Sequence, residues 1–140
     1  MVSKVKRSTF SIVPRAKIWL EAEGRYVFGH GLSEILKAIQ QTGSIKDAAE
    51  VVGKSYRHVW SRVKDAERAL GVSLVETRVG GGETQRSRLT SHARLLVREY
   101  DRMRRQVFGI VGRTFTSTLR TIARASAAAR KPRPGRGPLR

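Results

Sequence analysis

Between Lys54 and Arg68 the sequence sets hydrogen-bond donors at helical spacing. Arg57, Ser61, Lys64 and Arg68 recur at i, i+4, i+7 and i+11, with Tyr56, His58 and Arg62 among them and Lys54 and Ser55 just before. No acidic residue interrupts the stripe. Guanidinium, ammonium and hydroxyl groups arranged in this way do not break bonds; they neutralise anions and donate to acceptors. Arg57 suits the bidentate geometry of guanine O6 and N7, whereas Arg62 and Lys64 suit phosphate oxygens, which position a duplex without specifying its sequence. Tyr56 and Arg57 fall in the first helical turn, where a recognition helix meets base edges. His58 lacks a partner that would give it a metal-ligating or proton-transfer role.

Such a stripe needs a helix whose opposite face is anchored. Val59, Val63, Ala66 and Leu70 supply that apolar face, Ser55 is placed to cap the helix, and Gly71 ends it. Immediately upstream, Ser44 with Asp47 at the third helical position opens a shorter helix, in which Ile45, Ala48, Ala49 and Val52 repeat the spacing before Gly53. Where two helices cross steeply through a short turn, the contact point admits only a small side chain, the turn wants positive φ, and the second helix inserts an apolar anchor. Ala49, Gly53 and Val59 meet these three demands. An ordinary helical hairpin would use them for packing alone. Trp60 adjoins the apolar stripe and is expected to be partly buried. Further upstream, "AKIWLEAEGRYVFG" alternates and breaks at Glu23-Gly24, as a hairpin does. Leu32, Ile35, Leu36 and Ile39 then give a helix for which Ser33 is the cap candidate.

Downstream, "SLVETRVGGGETQRSRLT" predicts a strand, a glycine-rich loop and a returning strand, with Arg86 and Arg88 on one side of the return. The Gly80 to Gly82 triplet lacks the GxxxxGK[ST] pattern of a nucleotide loop. Thr90 is placed to cap a long helix in which Ala93, Leu96, Tyr100, Met103, Val107 and Ile110 recur at 3, 4, 3, 4, 3, the spacing of a coiled-coil seam. That seam predicts a homodimer; a helix lying on its own domain is the alternative.

The 140 residues carry 29 Lys plus Arg against 11 Asp plus Glu, a formal net charge of +18. The excess sits at the ends. Residues 1–15 carry four basic groups and no acid, and residues 102–140 carry eleven and no acid, whereas 16–101 holds fourteen basic and eleven acidic residues. A nearly balanced domain between cationic arms points to a polyanionic partner, nucleic acid first. The closing "AAARKPRPGRGPLR" has almost no large apolar residue and is expected to be disordered when free. The absence of cysteine removes disulfide and thiolate zinc chemistry. No apolar run approaches spanning length, so the expected location is the cytoplasm, at the nucleoid.

Taken together, "KIWLEAEG", "GSIKDAAEVVGKSYRHVW", "LGVSLVETRVGGG" and "RLTSHARLLVREYDRM" resemble the N-terminal DNA-binding domain of the molybdate-responsive regulator family ModE, a winged helix-turn-helix close to that of LysR-type regulators. The resemblance covers about Lys17 to Met103. It implies that Ser44 to Trp60 is the reading unit, that Arg86 and Arg88 belong to the wing, and that the helix after Thr90 is the dimer helix. The sequence departs from the family in two ways. Its wing reads "GGGETQRSR" in place of a longer glycine run, and a cationic tail follows where ModE carries molybdate-binding barrels. No molybdate-binding domain is therefore expected, and molybdate sensing is not carried over.

The expected fold is mainly α with small β elements: a winged helix-turn-helix with an N-terminal β-hairpin, a long C-terminal dimerisation helix and a disordered basic tail. The expected divisions are a basic N-terminal arm (1–15), the winged domain with its dimer helix (16–112), and a tail that is partly helical, then disordered (113–140). The expected function is sequence-specific binding of double-stranded DNA by a homodimeric transcriptional regulator. Its DNA-contacting set is Ser44, Lys54, Ser55, Tyr56, Arg57, His58, Ser61, Arg62, Lys64, Arg86 and Arg88. The alternative is an architectural nucleoid-associated protein with little sequence preference. "RPGRGP" at Arg133 to Pro138 leans that way, although an extra Pro and Gly interrupt the usual core of an AT-hook. RNA binding lacks an aromatic platform. Catalysis is not expected: His30, His58 and His92 are isolated, and no HExxH or paired-carboxylate spacing occurs. No cofactor, metal or membrane partner is expected.

Overall fold

The computed structural model describes residues 5–7, 10–79 and 85–130. The chain forms two compact units, one of residues 17–105 and one of residues 1–16 with 106–140. The Gly80–Gly82 triplet and most of the Pro- and Arg-rich tail lie outside the described residues.

In the larger unit, β3 (Trp19–Ala22) and β4 (Arg25–Gly29) form an antiparallel hairpin. Glu23 and Gly24 make its two-residue turn with φ of 52° and 76°, the left-handed pair that suits the twist of a tight hairpin. A register shift between Leu20 and Glu21 turns β4 so that the consecutive Val27 and Phe28 are both buried. Helices α1 (His30–Thr42), α2 (Ile45–Val52) and α3 (Tyr56–Leu70) follow. Their inward faces join Leu32, Leu36, Ile39, Ala48, Ala49, Val59 and Val63 in one core. The strands β5 (Val75–Val79) and β6 (Gln85–Leu89) then pair antiparallel as the wing.

The wing is hung on the helices by backbone bonds. The Ser87 amide donates to the Gly43 carbonyl at the α1–α2 turn, 2.8 Å, and the Thr90 amide donates to Leu74 O, 2.9 Å. Glu67 on α3 accepts from the Leu74 amide at 3.2 Å. These contacts set the wing beside α3.

The last helix, α4, runs from Ser91 to Ala129. Thr90 caps it, accepting from the Ala93 amide at 3.2 Å while its hydroxyl donates to Ser73 O at 2.7 Å. The seam expected for a dimer is largely used within the monomer. Ala93 and Tyr100 are buried, and Leu96 and Met103 pack against the same core. Tyr100 stacks edge-on against Phe28 with ring centroids 5.1 Å apart, and its hydroxyl donates to Ile18 O, 2.8 Å.

Ser33 is not a cap. Helix α1 begins at His30, and Gly29 stands at its N-cap without a side-chain hydrogen bond. Ser33 lies inside the helix, fully buried, donating to Asp101 Oδ1 on α4 at 3.4 Å. Lys37 pairs with the same carboxylate, 2.7 Å from Oδ2.

In the smaller unit, β1 (Val5–Arg7) pairs antiparallel with β2 (Phe10–Ile12). Its part of α4 half-buries Val107, Val111, Phe115 and Leu119, while Ile110 and Ile122 are exposed.

Candidate nucleic-acid interface

The turn between α2 and α3 presents the candidate reading surface. Gly53 adopts φ 68° and lets its amide close onto α2 at Glu50 O, while the Lys54 amide reaches Ala49 O at 2.9 Å. The chain then re-enters a helix at Ser55, whose hydroxyl accepts from the His58 amide at 3.1 Å. Ser44 does the same for α2, accepting from Asp47 N at 3.2 Å. Both hydroxyls therefore serve caps, which fix the direction of the helices they open.

Burial of Val59, Val63 and Ala66 fixes the rotation of α3. Arg57 consequently points away from the core, and Lys54, Tyr56, Arg57 and His58 are all exposed around the first turn. Arg57 has no ion-pair partner among the described residues. Ser61, one turn further along the outward face, is half-buried.

The cationic stripe is less free than its spacing suggests. Lys64 Nζ lies 3.2 Å from Glu67 Oε1, and Arg68 pairs with Asp65. Arg62 turns aside and places its guanidinium 4.5 Å from the centroid of the Tyr26 ring, bracing α3 against the hairpin. The expectation of an uninterrupted cationic stripe thus holds for the outward position of Arg57 but not for Lys64 and Arg68.

A cleft of about 240 Å³ separates α3 from the wing, lined by Tyr56, Trp60, Lys64, Val75 and Thr77 among others. Trp60 is 44% exposed there, with Lys64 Nζ 5.9 Å from its ring centroid. On the wing, Arg86 and Arg88 are exposed on one side of β6. Arg88 Nε donates to Glu76 Oε2 at 3.2 Å, whereas Arg86 pairs in register with Arg78. Two facing guanidinium groups at the outer end of the wing repel one another unless an anion lies between them. Arg78 lies outside the DNA-contacting set expected from the sequence, although its period-2 relation to Glu76 on β5 places it on that side.

Among the described residues, no group of three or more His, Cys, Asp or Glu is placed to hold a metal ion, and no helix is long and apolar enough to cross a membrane.

Three helices whose last member projects an arginine beside a two-stranded wing define a winged helix-turn-helix. Residues 32–94 match the bacterial regulatory helix-turn-helix protein family of the LysR type. The chain is 36% identical over 67 residues to the transcriptional regulator ModE of Yersinia pestis, covering 48% of this chain and 26% of that protein. It is 41% identical over 59 residues to the molybdenum transport protein ModE of Herbaspirillum seropedicae, covering 42% and 22%. The matches thus span about a quarter of those relatives' length. Among solved structures, the DNA-binding domain of CbnR in complex with DNA aligns at 22% identity and a TM-score of 0.42, covering 71% of this chain and 95% of that one. The domain is a ModE-like and LysR-like winged helix-turn-helix.

Proposed function

We propose that the protein is a sequence-specific transcriptional regulator of double-stranded DNA that acts as a homodimer at the nucleoid in the cytoplasm. The observation that carries this reading is the first turn of α3. Its core face is locked by Val59 and Val63, its backbone is capped by Ser55, and Arg57 stands outward with no carboxylate partner among the described residues. The backbone that carries this guanidinium is thus fixed toward a base edge in a major groove, while the exposed side chain itself is ordered on binding at a cost of about 0.5 to 1.5 kcal/mol.

In this reading Lys54, Tyr56 and His58 flank the reading residue, and Arg78, Arg86 and Arg88 neutralise phosphates beside it. The strand that divides the two contacts crosses the rim of the cleft between α3 and the wing, where Tyr56 and Lys64 stand. Lys64 meets that strand as one half of an ion pair, so its contribution is smaller than that of an unpaired lysine. Glu67 does not leave with DNA, because its other oxygen holds Leu74 N.

Selection of bound duplexes from a random pool tests the proposal. The expected product is an inverted repeat with half-sites one helical turn or a multiple of it apart. A pool that enriches no motif would overturn sequence-specific regulation in favour of architectural binding.

A further inference from the structure

We propose that the smaller unit's part of α4 is a second, sequence-independent DNA-binding face, built from Arg113, Arg120 and Arg124. This deepens the DNA-binding reading and rests on it, but it uses residues remote in sequence from α3 and the wing.

The three arginines are exposed and lie seven and four residues apart in an unbroken helix. At about 100° per residue these steps keep them on one side, with a rise of roughly 16 Å from first to last. Arg113 folds back along its own helix, with Nη1 3.5 Å from where a Cβ at Gly109 would stand, so the bare glycine gives the guanidinium a surface to lie on. Neither aspartate nor glutamate occurs from residue 102 to the end of the sequence. No side chain in this stretch therefore competes as an anion, and in high dielectric the three charges repel one another until an external anion arrives.

The partner this face fits is a polyanion of fixed, dense charge. Duplex DNA carries about one phosphate per 1.7 Å of axis, which places on the order of ten phosphates along the length of the stripe. Guanidinium matches phosphate bidentately, and arginine occupies all three positions. An anionic membrane would instead require a large apolar face to enter the bilayer beside the charges. Here Val111, Phe115 and Leu119 are half-buried, and among the described residues of this part of α4 the exposed large apolar side chains are Ile110 and Ile122, twelve residues apart and so on different sides of the helix.

The test compares the full-length protein with R113Q/R120Q/R124Q on two duplexes, one limited to the selected site and one extended by several helical turns on each side, across a salt series. Circular dichroism first establishes equal helicity. The triple variant should flatten the slope of log K against log salt on the extended duplex by about 2.7 per protomer, hence about 5.4 for the dimer, at about 0.9 for each phosphate no longer neutralised. It should also lower affinity for specific and random extended duplexes by the same factor, and R113K/R120K/R124K should restore most of both. An unchanged slope on the extended duplex would overturn the proposal. So would loss of binding to phosphatidylglycerol vesicles with the DNA slope intact, which would assign the face to membranes. Arg57→Ala keeps the two readings apart. If it leaves sequence preference untouched while the triple variant flattens the slope, the α3 assignment fails and this face stands.

Discussion

At the scale of single residues, what a side chain contacts decides what it is free to do. Arg57→Ala is expected to lose about 1 to 3 kcal/mol on the selected site and to relax preference at one base position, measured by competition against duplexes altered there. Equal loss on random duplex would show that Arg57 binds phosphate instead. Two groups in the domain's own packing make stability sensitive to alkali. Burial raises the Tyr100 phenol, and the pKa of Lys37 is also raised, burial opposing the shift and the bonds to Asp101 and Glu34 outweighing it. Both pKa values are higher folded than unfolded, so the stability they confer is complete below about pH 10 and is lost as pH rises through the folded values. Urea midpoints should therefore fall above about pH 10. Tyr100→Phe should fall less steeply, after an initial loss of about 1 kcal/mol from the missing bond to Ile18 O. Some of these roles were legible in the sequence and some were not. Ser44, Ser55 and Thr90 announced themselves because a cap is local, fixed by the few residues that follow. Arg62 did not, since its partner Tyr26 lies far upstream and only the fold brings the ring beneath the guanidinium.

The same contrast governs whole elements. Apolar spacing located α1 through α3, because each buries one stripe in a common core. It misplaced the start of α1: the period is the same wherever the helix begins, and the residue at its true N-cap, Gly29, carries no capping side chain. Spacing was equally blind to which surface α4 buries itself against. A run of threes and fours fits a second copy or the parent domain alike, and Tyr100 and Met103 chose the domain. Tyr100→Glu is consequently expected to unfold the domain in thermal melts. Ile110→Glu, at a position 54% exposed, should leave helical content unchanged, shift sedimentation from dimer to monomer and remove the concentration dependence of the melting temperature. A monomeric unmodified protein at micromolar concentration, with and without DNA, would count against assembly through α4. The cap of α3 offers a cleaner separation of folding from binding. Ser55→Ala should destabilise by about 1 kcal/mol, and Ser55→Asp should retain stability. The aspartate nevertheless adds a negative charge where the duplex arrives, so its DNA affinity should drop while its denaturation curve does not.

For the whole molecule, charge and fold are divided along the chain. The balanced segment 16–101 builds most of the folded domain, and the carboxylate-free stretch from 102 onward adds cations with nothing to offset them. Composition alone revealed this division, and the continuous helix through Ala129 adds that part of the excess is ordered along a rigid element. Truncation after Ser126 removes five further basic groups, Arg130, Lys131, Arg133, Arg136 and Arg140. It should weaken binding to every duplex by a similar factor, lower the salt slope by roughly 0.9 for each phosphate left unneutralised and preserve sequence preference. An unchanged slope would show that this terminal segment does not touch DNA. The bond from the Ser87 amide to Gly43 O has a consequence for time as well as for shape. Ser87 is buried, and its proton is shared with the turn joining α1 to α2, so deuterium from solvent reaches it only when the wing base and the helical layer part together. Its exchange should keep pace with the slowest amides of α1, while those near the outer end of the wing exchange early. The paired strands would then open from Val79 and Gln85 inward, about a root that moves only when the whole domain opens.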